Sequence, residues 1–532
     1  MPLNFLSKRS LFRSKSLEIL RAQADGPHQP LKRNLGTFDL TMLGIGAIIG
    51  AGIFSTIGTA AAGNSAAGRP AAGPALVVSI LLVALSCGFT ALAYAELASM
   101  IPVSGSAYTY AYATMGELMA WIIGWDLVLE YAVSNVAVAI SWADYCRSFL
   151  GGVLGIRIPG WLAMDPRSAL KLLDGVPPMD LAAKLRILAQ AKDGALDGAA
   201  VFRHWDVLSS APTLHGFPVT FNLLALLITL AVTWLVFIGI KESARANAVM
   251  VAIKLAILAA VVVVGWCLVQ PGNWIPFAPN GFRGIQSGAA IIFFAFIGFD
   301  AVSTTAEECR DPGRNVPRGI LLSLLVCTGV YAAIAVVVTG MVHYSALAGK
   351  ADPLAYIFAH HGLGALAGVV AFGAVVATTA ALLVYQVAQP RIFLAMSRDG
   401  LLGPWFGKVS PRYGTPVNAT LLTGILVALP AALLGIDEAV ELTNIGTLFA
   451  FTLVGAAVLI LRWRRPEARR SFRMPWAGVL APAGILSCAW MAWGLPRLTW
   501  IRFFLWLGVG LVVYFVYGCR NSRLRDRSGL GS

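Results

Sequence analysis

Twelve runs of about 20 largely apolar residues follow one another along this chain, near 39-61, 75-99, 117-149, 218-239, 246-269, 286-306, 319-342, 363-390, 416-435, 441-461, 477-495 and 499-518. A bilayer core of about 30 Å is crossed by a helix of about 20 apolar residues. In lipid the backbone must satisfy its hydrogen bonds internally, so the pattern predicts an all-α integral membrane protein with about twelve transmembrane helices. Composition agrees: 58% of residues are apolar, only 12% are charged, and the mean hydropathy is +0.75. A soluble core does not reach that balance.

The net charge of +14 and pI near 9.7 would, in a soluble protein, suggest a nucleic acid or another anionic partner. The distribution of charge points elsewhere. With the N-terminus placed inside, 26 Lys and Arg residues fall on the inner side, against five on the short outer loops and their edges. The positive-inside rule then predicts that both termini are cytoplasmic. Arg462 to Arg473, and the tail residues Arg520, Arg523, Arg525 and Arg527, lie directly against span ends. Anchoring to anionic lipid explains them without nucleic acid. The first 38 residues are polar and basic, unlike a removable signal peptide.

The expected organisation is a cytoplasmic N-terminal segment (1-38) and a transporter core (39-461) of two five-helix halves, with an extracytoplasmic insertion at 150-217. A basic cytoplasmic loop (462-476), two additional spans (477-518) and a basic tail (519-532) follow. Within the insertion, Asp180 to Ala200 alternates apolar and charged residues and is expected to form a surface helix, either as a plain insertion or as a small lid or partner-binding element.

Transporters built on inverted repeats break the first helix of each repeat midway through the membrane, where its backbone groups meet the substrate. Span one contains Gly44, Gly46, Gly50 and Gly52, and span six, the first helix of the second half, contains Gly298 and Asp300. Helix packing through small residues is the commoner use of Gly46-x-x-x-Gly50. The matching interruption five spans later favours a discontinuous pair. No strand precedes the glycines, which excludes a nucleotide-binding loop. The second half of span one would open with free N-H groups around Gly50, Ala51 and Gly52, suited to a carboxylate. The first half of span six would end near Phe296 and Ile297 with carbonyls suited to an ammonium. These are the two poles of an α-amino acid.

Ionisable residues inside a span cost about 2.5–3.5 kcal/mol on insertion scales and so call for a reason. Asp126 and Glu130 lie four residues apart on one face of span three, Lys254 lies deep in span five, and Asp300 follows the break in span six. Glu96 and the pair Glu307-Glu308 sit near span ends and read as interfacial. Lys254 suits either a structural pair with a carboxylate or a place against the carbonyls of the broken first span, where other transporters hold a metal ion. In the second role its proton could couple to transport.

Several stretches resemble the cationic amino acid transporter family of the amino acid-polyamine-organocation superfamily. They are Gly44 to Phe54 (GIGAIIGAGIF), Trp125 to Val133 (WDLVLEYAV), Gly239 to Leu255 (GIKESARANAVMVAIKL), Phe294 to Glu308 (FAFIGFDAVSTTAEE) and Pro390 to Leu402 (PRIFLAMSRDGLL), within a likeness covering about residues 32-420. The resemblance implies a LeuT-type fold of 5+5 inverted repeats with discontinuous helices one and six. It implies that Ile49, Gly50, Ala51 and Gly52 face the substrate carboxylate, and that Phe294, Ala295 and Ile297 take the ammonium side, with Phe294 a candidate gate. It also implies that Lys254 stands in for sodium, and that Glu130 and Asp300 assist cationic side chains. Ala51 departs from the pattern, standing where relatives often have Thr. Twelve spans are similar to the bacterial members.

The expected activity is therefore secondary active, sodium-independent, proton-coupled transport of an L-amino acid, cationic or small and neutral, across a cell membrane. An exchanger or a non-transporting sensor remains open, as does the oligomeric state. A membrane-embedded enzyme would need a nucleophile with its base, or metal ligands. The six histidines lie in loops, tails or span ends, and the seven cysteines have no ligand spacing, so no catalytic residue, metal or cofactor is expected.

Overall fold

The computed structural model describes residues 12–16, 20, 35–64, 68–101, 103, 105–172, 181–193, 195, 205–214, 217–238, 243–410 and 415–524. Tail residues Arg525 and Arg527, the Gly239 end of one family-like stretch, and most of the N-terminal segment lie outside these. Each of the twelve apolar runs falls on a helix. Span 1 is Thr37–Ala62, span 2 Gly73–Met100, span 3 Glu117–Val153, span 6 Gly281–Glu308, span 7 Pro312–Met341, span 8 Gly364–Arg398, span 10 Ile436–Arg464 and span 12 Arg497–Asn521. Span 5 is Ser243–Trp266, and three shorter apolar helices supply spans 4 (Leu223–Ile238), 9 (Val417–Leu433) and 11 (Ala477–Trp493).

The packing of these spans repeats when five is added to each number. Span 1 packs on span 7 as span 6 packs on span 2; span 3 packs on span 10 as span 8 packs on span 5; span 4 packs on span 8 as span 9 packs on span 3. Spans 2 and 7, 3 and 8, and 4 and 9 map onto themselves as contacting pairs. This is the 5+5 inverted repeat, with spans 11 and 12 added to the side of span 10. Burial places the two repeat-leading helices in the middle: the apolar windows of spans 1 and 6 are 83% and 89% enclosed, against 22% for span 12. Broken backbone at membrane depth is tolerated only where protein surrounds it, so this placement is a precondition for the breaks.

Lys15 and Ser522, the one early and the other late in the chain, pack on one face of the bundle, here termed the terminal face. The Lys15 N–H donates to the Tyr112 carbonyl at 3.0 Å, the Lys15 ammonium pairs with Asp399 at 2.7 Å, and the Ser522 hydroxyl bonds Glu117. The 150–217 segment joins the far end of span 3 to span 4, on the opposite, insertion face. Its expected surface helix appears as Leu181–Lys192, which packs Leu188 and Ala191 on Leu208 in a small core of its own.

Two features differ from the sequence reading. Span 8 continues through Pro390 to Arg398 instead of stopping at the proline. The segment Arg462 to Arg473 is not wholly turned to lipid, because Arg462 and Arg470 both bond the buried carboxylate of Glu96 at the end of span 2. The Met474 N–H adds a third donor to that carboxylate at 2.8 Å.

Candidate functional site

Span 1 is helical over Thr37–Ile48, turns extended at Ile49 (φ −78°, ψ 90°), and resumes as a π turn over Gly52–Thr56 followed by an α-helix over Ile57–Ala62. Span 6 is helical over Gly281–Ile292, tightens to a 3₁₀ turn over Phe293–Phe296, and extends at Ile297. Gly298 then takes φ 116°, a left-handed value that a side chain disfavours. A 3₁₀ helix of ten residues, Phe299–Glu308, completes the span. Such runs rarely exceed three or four residues, and inside a long helix they mark hinges.

The breaks meet backbone to backbone. A side chain at Gly52 would strike the Cα of Ala295 at 2.2 Å, and one at Gly298 would meet the Ala47 backbone at 3.0 Å. Ile49, Gly50, Ala51, Gly52, Phe294, Ala295 and Ile297 therefore surround a single crossing point and are all buried. The Gly50 N–H differs from expectation, since it donates to the Ile48 carbonyl at 3.0 Å. The donors that remain for an anion are those of the following residues, which open the second helical segment and have no intrahelical partner.

Lys254 reaches the first break from span 5. Its ammonium donates to the carbonyls of Gly46 at 2.9 Å and Ile49 at 2.7 Å, with the side chain fully buried. It pairs with these carbonyls, so of the two arrangements considered for it the carboxylate pair is not formed. Tyr331 on span 7, which sequence reasoning passed over, spans both breaks: its hydroxyl lies 2.9 Å from the carbonyl oxygens of Ile48 and Ala295 alike. A hydroxyl inside an apolar run was its only signal.

Below the second break the acidic residues gather. The Tyr131 hydroxyl on span 3 donates to Asp300 Oδ2 at 2.6 Å, and Glu130 lies within electrostatic reach of Asp300 and Asp126. Both carboxyl oxygens of Asp126 and of Glu130, and Oδ1 of Asp300, have no hydrogen-bond partner among the described residues. The Thr447 hydroxyl faces Glu130 but is committed to the Thr443 carbonyl at 3.0 Å. Gly446 leaves room beside Asp126, where an added Cβ would come within 2.9 Å of Oδ1. Buried acceptors without donors are rare in folded proteins, which sets this group of carboxyls apart from the rest of the interior.

A helix pair broken at facing glycines, with a lysine on the broken carbonyls, is joined by a match along the sequence: the family model described as amino acid permease covers residues 35–521. The chain belongs to the amino acid permease family. This permease is 42% identical to the branched-chain amino acid permease BcaP of Bacillus subtilis (strain 168), over 98% of this chain and 100% of that one. It is 41% identical to the methylthioribose transporter of the same organism, over 97% and 99%. It is 35% identical to the vacuolar cationic amino acid transporter 4 of Arabidopsis thaliana, over 86% and 68%. All three are named as permeases or transporters, and the family match together with the run of apolar helices makes this chain a multi-pass membrane protein.

Proposed function

We propose that the permease moves an L-amino acid, cationic or small and neutral, by alternating access, with protons as the coupling ion and without sodium. The observation that carries this reading is the Lys254 ammonium on the Gly46 and Ile49 carbonyls. It fills with a fixed cation the acceptors that a broken helix would otherwise offer to a metal ion. A lysine can release and regain a proton there, and each change would loosen or restore the turn at Ile49.

The substrate carboxylate lies at Ile49, Gly50, Ala51 and Gly52, on the N-terminal end of the resumed helix, where the dipole favours an anion. The ammonium lies against Phe294, Ala295 and Ile297, with the Phe294 ring closing over it. Glu130 and Asp300 receive a cationic side chain through the carboxyl oxygens that no protein group occupies. The terminal face is cytoplasmic, with the protein in the cell membrane. Support comes from the excess of Lys and Arg in the segments that reach that face.

A second reading, a larger neutral substrate, is favoured by the 42% and 41% identities to relatives named for branched-chain amino acids and methylthioribose. One experiment separates the readings. Purified protein in sodium-free liposomes is given labelled arginine, alanine and leucine, with and without an inward proton gradient, as wild type and Lys254→Ala. Gradient-stimulated uptake that the substitution abolishes supports proton coupling, and the ratio of the three substrates decides the class. Uptake indifferent to the gradient identifies an exchanger, and binding without flux overturns the transport reading in favour of a sensor.

A further inference from the structure

Span 7 runs alongside the first half of span 1, and its contacts fix a parallel register. A Cβ on Gly319 would come within 2.7 Å of the Leu40 Cβ, and one on Gly44 within 2.5 Å of the Ser323 hydroxyl. Tyr331 reaches the Ile48 carbonyl at 2.9 Å. Positions 319, 323, 327 and 331 are spaced by four and so share one face of span 7. Helical side chains lean toward the N-terminal end of their helix. Cys327, between Ser323 and Tyr331, is therefore set against the stretch from Gly46 to Ile48.

Lys254 arrives at the same stretch from span 5, which packs on spans 1 and 7 together. An ammonium carries three N–H donors. Two go to the Gly46 and Ile49 carbonyls, and the third has no hydrogen-bond acceptor among the described residues. The Cys327 thiol is free, as fully buried as the lysine, and within electrostatic reach of it. Among the described residues no carboxylate faces this ammonium. Span 1 presents carbonyls, span 7 presents Cys327 with Tyr331 one turn on, and Tyr385 of span 8 comes within reach of Tyr331. A buried cation without an anion is costly, so each neighbouring dipole counts.

We infer that Cys327 is a positioning residue for transport: its thiol takes the side of the Lys254 ammonium that the two carbonyls leave open, and so governs how firmly the proton is held. The inference rests on the reading of Lys254 as the proton-coupling group. Sulfur suits the place because it is a polarisable but weak acceptor. It steadies the charged lysine without the strong third bond that would keep the proton there. A serine in its stead would donate to its own helix, as Ser323 does to the Ile320 carbonyl at 2.9 Å, and leave its oxygen lone pairs to the ammonium. An alanine would offer the ammonium nothing.

The test is the pH profile of labelled leucine and arginine uptake by the full chain in sodium-free liposomes, recorded under a constant inward proton gradient. A lysine held more firmly stays protonated to higher pH. Proton-driven uptake therefore persists about one pH unit further into the alkaline range in Cys327→Ser and stops about one unit earlier in Cys327→Ala. KM at the wild-type optimum stays within about twofold in both, which shows that they are folded and that the substrate's place is untouched. Ser323→Ala, one turn away on the same face and set against Gly44, keeps the wild-type profile. Unchanged midpoints in both Cys327 variants, or an equal shift in Ser323→Ala, overturn the role of Cys327 and leave the Lys254 reading intact. Wild-type uptake that ignores pH and gradient, or a pH profile that survives Lys254→Ala, overturns the proton-coupling reading and this inference with it.

Discussion

The ammonium of Lys254 lies 2.7 Å from the carbonyl oxygen of Ile49, the residue at which span 1 stops being a helix. A side chain from span 5 thereby caps a backbone break in span 1. Lys254→Ala removes the donor from two buried carbonyls, each worth about 1–3 kcal/mol when left unpaired. Uptake is expected to fall about 100-fold and to lose its response to a proton gradient, measured in sodium-free liposomes.

Tyr331 ties the two breaks together, and Tyr331→Phe keeps its ring while removing the hydroxyl shared by Ile48 and Ala295. One of the two carbonyls loses a donor at any moment, so the expected loss is about 1–2 kcal/mol of stability. Thermal unfolding in detergent reads that loss, and uptake should fall more steeply than stability because the crossing point itself loosens.

Glu130 bears on side-chain choice. Glu130→Gln keeps the shape and removes the charge that would meet a cationic side chain. Arginine uptake is expected to drop about tenfold while leucine uptake stays within about twofold, read as paired KM values. Equal losses for both substrates would assign Glu130 to something other than specificity.

Glu96 is 1% exposed, with Arg462, Arg470 and the Met474 N–H around it. Glu96→Ala would leave two guanidiniums facing each other without their anion, a loss of about 3 kcal/mol for a buried pair. A lowered unfolding temperature with unchanged KM is the expected signature, since the carboxylate lies at the end of span 2 and away from the crossing point.

Asp352, on the connection between spans 7 and 8, supplies a pH dependence. Burial raises its carboxyl above the ordinary aspartate value, partly opposed by the hydrogen bond that Ser148 donates. A raised value means that the folded protein holds the proton more tightly than the unfolded chain. Its contribution is therefore full below the unfolded value of about 3.9 and lost as pH rises through the folded one. Unfolding temperature measured between pH 3 and 7 should show this decline, and Asp352→Asn should flatten it.

The site was legible to different depths. Lys254, Asp126, Glu130 and Asp300 stood out because an ionisable group in an apolar run is costly and so conspicuous. The glycines of span 1 stood out by their density. Tyr331 and Tyr131 did not, because a tyrosine in an apolar run is unremarkable until its hydroxyl has a partner. Pro390 misled in the other direction: a proline usually stops a helix, yet span 8 passes through it, as enclosed membrane helices can when neighbours replace the lost bond.

The sequence by itself determined the solvent, the number of spans and the places of the two interruptions, because these depend on run length and residue type along one dimension. Only the tertiary structure decided that Lys254 caps Ile49, that one tyrosine serves both breaks, and that Arg462 and Arg470 turn inward to Glu96. Each of these is a pairing between distant spans, settled when buried polar groups compete for the few partners that a water-free interior leaves within reach.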